Sequence, residues 1–277
     1  MTQTPNAPAT PLEAYVEGIG LLGPGLSNWP LGRQCLEGRV PYEAERCVLP
    51  LPMALPSAER RRAGAVVKVS LAVGREAVEA SGLAVKELPS VFSSSSGDAV
   101  NCHEICSALA SGDRLISPTR FHNSVHNASS GYWSISSGAM ASSSVLCARD
   151  AGFAAGLLEA MTQCVVDRTP VLLVVYDTEY PQPLHSKRPV PDTMGVAMVL
   201  SPRRSARSQA RITLDGASYL TAATADTMED PAMESLRRAI PAARALPLLE
   251  SIARRQTRSV ALAYLDPLQF AVGVAPC

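Results

Sequence analysis

No sign of charge predominates in this chain of 277 residues: Lys and Arg total 25, and Asp and Glu total 25. A nucleic-acid groove needs a clustered excess of positive charge, so that class of partner is set aside. Long apolar runs are missing too, and none approaches the length that crosses a bilayer. Met1 to Pro11 (MTQTPNAPATP) has neither the basic start nor the apolar stretch of a secretory leader. The expectation is a soluble, cytoplasmic protein whose residues 1–11 form a mobile, proline-rich tail. The seven cysteines are odd in number and lack the spacing of a small disulfide scaffold, so reduced thiols are expected. No fixed short repeat runs through the chain.

What is present is apolar material, 47% of residues, enough for a substantial core. Tyr15 to Leu22 reads as a strand ending at Gly23-Pro24-Gly25. A long helix is predicted from Ser57, with Ser57 as its cap and Val66, Val67, Ser70, Leu71, Val73, Gly74 and Ala77 at helical spacing up to Gly82. Short strands are predicted over Ser90–Ser94 and Val145–Ala148, and helices over His103–Ala110, Ser130–Ser137 and Ala151–Cys164. Val171 to Tyr176 (VLLVVY) and Gly195 to Leu200 read as buried strands. Ser201 to Arg211 (SPRRSARSQAR) reads as an exposed loop, either simply solvated or a docking patch for an acidic partner. A strand from Ile212, a proline-broken helix from Met233 to Arg255 and two last strands, Val260–Tyr264 and Gln269–Val274, complete an α/β pattern.

Three motifs invite other readings. Gly18-Ile19-Gly20-Leu21-Leu22-Gly23 matches the glycine spacing of dinucleotide sites, but the following Pro24-Gly25 and Asn28-Trp29-Pro30 leave no helix to start on cue, so a strand-end turn is preferred. Cys102, Cys106, His122 and His126 have spacing close to a zinc template. The cysteines, however, fall one helical turn apart in a chain with an ample core, and a core or helix-face spacing is preferred. Serine runs at Ser93–Ser96 and Ser142–Ser144 lack a nucleophile-elbow setting and fit turn hydrogen bonds better than hydrolysis.

The stretch from Ser117 to Glu179, with its spaced Gly131 and Gly138, resembles the central segment of the β-ketoacyl synthases, thiolase-fold enzymes that condense acyl thioesters. In that family an asparagine-containing dimer segment precedes a strand, and the nucleophilic cysteine then opens a buried helix. The resemblance extends upstream to Val16–Gly25 and to Leu55–Leu83 with Arg60-Arg61-Arg62, covering about Tyr15 to Leu200. It implies a thiolase-like layered α-β-α-β-α fold with a strongly shortened C-terminal half. The expected division is a ketosynthase-like half over 12–200 and a remnant over 201–277, in one compact domain.

With Gly131 and Gly138 on the family's glycines, the register reaches Asp150 at the cysteine position without a gap. A ketosynthase needs a thiolate there, made accessible by the helix N-terminus. Asp suits the same helix start but is a poorer nucleophile, and its attack would yield an anhydride. The family's two catalytic histidines lie in its C-terminal half, whereas His103, His122, His126 and His185 all precede Ser201.

The resemblance therefore implies a non-catalytic subunit like the chain-length factors of aryl polyene and xanthomonadin-type pathways, most specifically through Thr119–Ile135. No catalytic residue and no cofactor or metal is implied. The implied partners are an active ketosynthase, as a heterodimer, and an acyl carrier protein reached through that complex. Arg120, Phe121, His122 and Asn123, ahead of Asn127, are implied to line the partner's acyl tunnel, and Val145, Leu146 and Cys147 to lie at the dimer interface. Few charges (18%) suit a large apolar interface. Two alternatives stay open: an acyltransferase or condensing enzyme using Cys147 or a serine, and an unrelated binding or metal protein.

Overall fold

The computed structural model describes residues 11–112, 114–214, 220–221 and 224–277. The tail expected over 1–11 therefore lies outside the described residues except for its last position. In chain order the elements begin with β1 (Leu12–Leu22), α1 (Trp29–Leu36), α2 (Ser57–Arg62), α3 (Ala65–Ser81) and β2 (Ser90–Ser94). Next come α4 (Ala99–Ala110), α5 (Pro118–His122), α6 (Ala128–Ser137), β3 (Ser143–Cys147) and α7 (Gly152–Val166). They are followed by β4 (Val171–Asp177), α8 (Leu184–Lys187), β5 (Met194–Ser201), β6 (Ala210–Leu214) and β7 (Leu220–Thr221). The chain closes with α9 (Pro231–Ala239), α10 (Leu246–Ala253), β8 (Arg258–Ala263) and β9 (Gln269–Pro276).

The strands form one sheet in the order β3-β2-β4-β5-β1-β6-β9-β7, with β8 on the other side of β9. β2 runs parallel to β3 and β4, and the remaining pairs are antiparallel. The unbroken apolar run of β4 follows from burial on both faces. Val171, Leu173 and Val175 enter a core with Phe153, Leu157 and Met161 of α7 and Leu248, Leu249 and Ile252 of α10. Leu172, Val174 and Tyr176 enter the opposite core with Val67, Leu71 and Val73 of α3 and Tyr132 and Trp133 of α6. Each fully buried Val or Leu contributes roughly 1.5–3 kcal/mol, so these two faces carry much of the fold. The arrangement is the layered, thiolase-like α/β fold that the resemblance implies.

The glycines of the dinucleotide-like motif have a packing cause. A Cβ at Gly18 would stand 2.0 Å from the carbonyl oxygen of Ala77, and one at Gly20 would stand 2.0 Å from that of Val73. β1 and α3 thus touch backbone to backbone. Gly23 closes the turn after β1, donating to the Leu26 carbonyl at 2.8 Å.

Two sequence-based expectations are corrected here. A helix does begin at Trp29: Asn28 accepts from the Leu31 amide at 2.9 Å, and Pro30 sits in the first turn, where it is tolerated. Its N-terminus faces a carboxylate of the same chain, because Glu76 accepts from the Trp29 amide at 2.7 Å and from the Leu21 amide at 2.9 Å. The helix predicted from Ser57 is two helices, since Ala63 and Gly64 adopt extended backbone between α2 and α3. Ser57 is the first residue of α2 and makes no cap; Pro56 precedes it.

The Ser201–Arg211 loop is less free than its composition implies. Ser205 and Ser208 both donate to the buried Glu17 carboxylate, so two of its hydroxyls hold the segment to β1.

Candidate functional site

The site is built where β3 passes into α7. β3 ends the sheet, paired with β2 and with no strand on its other side among the described residues. Arg149, in the short 3-10 turn Arg149–Ala151, has φ 48°, a left-handed conformation uncommon for a side chain of this size. α7 starts at Gly152, whose carbonyl accepts from Ser93 Oγ at 2.7 Å, anchoring the helix start to β2.

Asp150 projects from this turn into a clamp of two guanidiniums. Arg188 Nη2 donates to Asp150 Oδ1 at 2.6 Å, and Arg244 Nη2 lies 3.3 Å from Oδ2. The Arg188 guanidinium also sits over the Tyr180 ring, 5.7 Å from its centroid. The Tyr180 hydroxyl is shared with Ser95 Oγ, at 3.0 Å, and with Ser96 Oγ. The Ser95 amide donates to Asp177 Oδ1 at 2.8 Å, so the network reaches the buried end of β4. Burial pushes the Asp177 carboxyl up to about 6, against the pull of the hydrogen bonds from Ser95. Burial also lowers the Arg244 guanidinium from its ordinary value, with Arg237 and Arg188 adding like-charge repulsion.

A carboxylate with both oxygens engaged by cations is a poor nucleophile and a poor base, because either task would require giving up charge-assisted bonds. Cys147, at the end of β3, donates its thiol to the Ser95 carbonyl with sulfur and oxygen 3.1 Å apart. His126 sits with Nε2 3.2 Å from the Leu146 carbonyl oxygen, tying the segment ahead of α6 to β3. Cys102 and Cys106 stand exposed on α4.

The residues implied to line the tunnel fall together on and just after α5. Phe121 is 68% exposed, and His122 is exposed as well. Arg120 pairs with Glu104 at 3.4 Å, and its carbonyl accepts from the buried Asn101. Asn123 donates to the Arg62 carbonyl at 3.0 Å and accepts from the Tyr132 hydroxyl at 3.2 Å. Asn127 precedes α6, its carbonyl taking the Ser130 hydroxyl and the Gly131 amide at 3.0 Å. Val145 and Leu146 are half-buried, packed against opposite cores, and Cys147 is exposed. Around this surface stand further exposed apolar side chains: Val100, Leu109, Leu115, Val125, Ile135 and Met140.

Sequence reasoning placed Asp150 but not Arg188, Arg244, Tyr180 or Asp177. No local spacing links them; only the folded sheet and the turn Pro241–Ala245 bring them to one point.

Comparison with known proteins agrees with this architecture. Among curated protein sequences no relative matches. A ketosynthase (ApeO) in complex with its chain length factor (ApeC) from Xenorhabdus doucetiae shares 22% identity, over 94% of this chain and 98% of that one, with a TM-score of 0.68. The ishigamide ketosynthase/chain length factor aligns over 96% of this chain and 99% of its own at 11% identity and a TM-score of 0.69. The AntDE:AntF assembly, a type II PKS acyl-carrier protein in complex with its ketosynthase, aligns over 98% and 100% at 10% identity and a TM-score of 0.71. At these identities the likeness is one of fold. The model of the beta-ketoacyl synthase N-terminal domain matches residues 38–263, and with most of its length so covered the chain belongs to the beta-ketoacyl synthase family.

Proposed function

We propose that this chain is a non-condensing, chain-length-factor-like subunit that pairs with an active ketosynthase and contributes part of the wall of its acyl tunnel. The observation that carries this reading is Asp150, at the strand-to-helix turn where the family places its nucleophile, held by Arg188 and Arg244. The position keeps the architecture of a ketosynthase nucleophile and lacks the thiol. In this reading residues 12–200 form the ketosynthase-like half and 201–277 the shortened remnant. An acyl carrier protein, as in the AntDE:AntF assembly, reaches the complex through the active partner.

Support for pairing comes from the edge of β3 that no other strand covers among the described residues, and from exposed apolar side chains on the segments leading to it, Phe121, Val125, Ile135 and Met140 among them. An unpaired edge next to uncovered apolar surface is what natural folds usually avoid, and a partner subunit would resolve both. The test is co-expression with a ketosynthase that carries Cys and two His, followed by intact-mass labelling with an acyl-thioester analogue. Label is expected on the ketosynthase alone, within a stable heterodimer. Label on this chain, at Cys147 or a serine, would overturn the non-condensing reading, and failure to co-purify would overturn the pairing. For the tunnel, Phe121→Ala in the assembled complex is expected to lengthen the product, because only the wall recedes. An unchanged product distribution across substitutions at Arg120, Phe121 and His122 would remove these residues as the gate.

A further inference from the structure

On the other side of the Asp150 clamp lies a cavity of about 620 Å³, bounded by the end of α9, the Pro241–Ala245 turn, Thr224–Ala225 and the segment joining β8 to β9. Its volume is in the range of small-molecule sites. Its charged lining is of one kind: Arg237, Arg238 and Arg244, with the hydroxyl of Thr224 and the amide of Gln269, and no carboxylate among the described lining residues. The acidic groups that partner these cations stand outside the wall. Glu234 takes Arg237 Nε and Nη2 at 2.6 and 2.7 Å, and Asp150 takes one nitrogen of Arg244. Both arginines keep donors to spare, and their side chains are only 12% and 24% exposed. Arg238 makes no ion pair or hydrogen bond among the described residues and is exposed. Arg237 repels Arg244 across this wall, an effect smaller at Arg244 than the attraction of Asp150, and an anion in the cavity relieves it.

We propose that this cavity binds a phosphate-bearing small molecule. Three guanidiniums match a tetrahedral group with three terminal oxygens better than they match a two-oxygen carboxylate. The apolar part of the wall, Ala225, Ala263 and Pro267, leaves room for an organic body on the phosphate. Arg244 belongs to the cavity and to the Asp150 clamp, so occupancy is felt at the turn before α7 whether or not the chain works beside a ketosynthase.

The test is calorimetric titration of the full-length chain with inorganic phosphate, phenyl phosphate and benzoate, repeated in Arg238→Ala. That substitution removes no internal bond among the described residues, so a folded variant is expected and is checked by circular dichroism. Saturable binding of phosphate or phenyl phosphate is expected, weakened about tenfold or more in the variant, as loss of a charged hydrogen-bond donor predicts, and weakened by added salt. Tighter binding of phenyl phosphate identifies an organic phosphate as the natural ligand class, and equal binding identifies free phosphate. The proposal is overturned by absence of saturable binding, by equal affinity in the variant, or by benzoate binding as tightly as phenyl phosphate.

Discussion

Replacing Asp150 by Asn separates a structural role from a catalytic one, because the amide keeps the shape and removes the charge. Asp150 is 43% exposed, and its partners Arg188 and Arg244 are 25% and 24% exposed. A fully exposed pair contributes about 0–1 kcal/mol, and breaking a buried one costs about 3–5 kcal/mol. This half-open clamp falls between, and solvent screening holds the expected loss to about 1–2 kcal/mol. Most of that belongs to the 2.6 Å contact with Arg188. In a chain of this size the loss corresponds to a drop in Tm of about 2–6 °C.

The assay is thermal and denaturant unfolding of Asp150→Asn, Arg188→Ala and the double variant. Arg188→Ala also loses the Tyr180 contact, and the cycle cancels that shared term. A coupling of about 0.5–1.5 kcal/mol, smaller at high salt, is expected. On the proposed reading, in which the charge holds structure and performs no chemistry, condensation by the reconstituted complex should continue. Turnover that collapses while the heterodimer stays assembled would refute this reasoning, and a coupling near zero would show that the clamp does not hold in solution.

Three further outcomes follow from the same structure. Burial raises Asp177 to about 6, so the native state keeps this proton longer than the unfolded chain does, and stability falls as pH rises from about 4 to about 6, by on the order of 2–3 kcal/mol; Asp177→Asn should gain on the parent across that window, and a pH-independent difference in unfolding free energy would count against it. Gly20→Ala would set a Cβ 2.0 Å from the Val73 carbonyl oxygen, and the resulting lift of α3 from β1 should cost about 3 kcal/mol or more, seen as a large fall in denaturation midpoint. The Ser90 amide bonds to the Ser142 carbonyl, and parallel alternation then turns the Leu146 N–H towards β2 and the Val145 N–H towards the free edge; Val145→Pro should leave this chain folded but weaken assembly with the ketosynthase in sedimentation, and unchanged assembly would exclude edge-to-edge pairing through β3.

Much of the fold was legible because burial on two faces leaves a strong mark. Val171 to Tyr176 reads as a buried strand, and its residues alternate between the two cores. Ser90–Ser94 matches β2 end for end. The misreadings came where a single backbone detail outweighed the pattern. The helical spacing begins only at Val66, and the helix drawn back from it to Ser57 is split by extended backbone at Ala63 and Gly64. Pro30 reads as a barrier to a helix starting there, yet the first turn has no need of its missing N–H. The site divided along the same line. Asp150 was reachable by register within one continuous segment, whereas Arg188 lies 38 positions away and Arg244 follows a different element, so no spacing along the chain joins them.

The same clamp makes a prediction about restoring the missing thiol. In Asp150→Cys, sulfur would stand beside Arg188 and Arg244, and adjacent guanidiniums favour thiolate. The new cysteine should therefore react with iodoacetamide faster than Cys102, whose thiol, though exposed, is held above its ordinary value by partial desolvation on α4, with Cys106 adding to the rise. Condensation should nonetheless stay absent from this chain. The hydrogen bonds and ion pairs of Asp150 among the described residues run to two arginines and to no histidine. All four histidines of the chain precede Ser201. The clamp therefore offers a restored thiol no imidazole of the kind that the family's two catalytic histidines supply. Peptide mapping after brief alkylation reads the first outcome, and condensation assayed with a cysteine-less variant of the partner ketosynthase reads the second. A thiol at 150 that reacts no faster than Cys102 would mean the clamp does not act on this position. Product formed by Asp150→Cys with that disabled partner would mean the chain retains the rest of a condensing site.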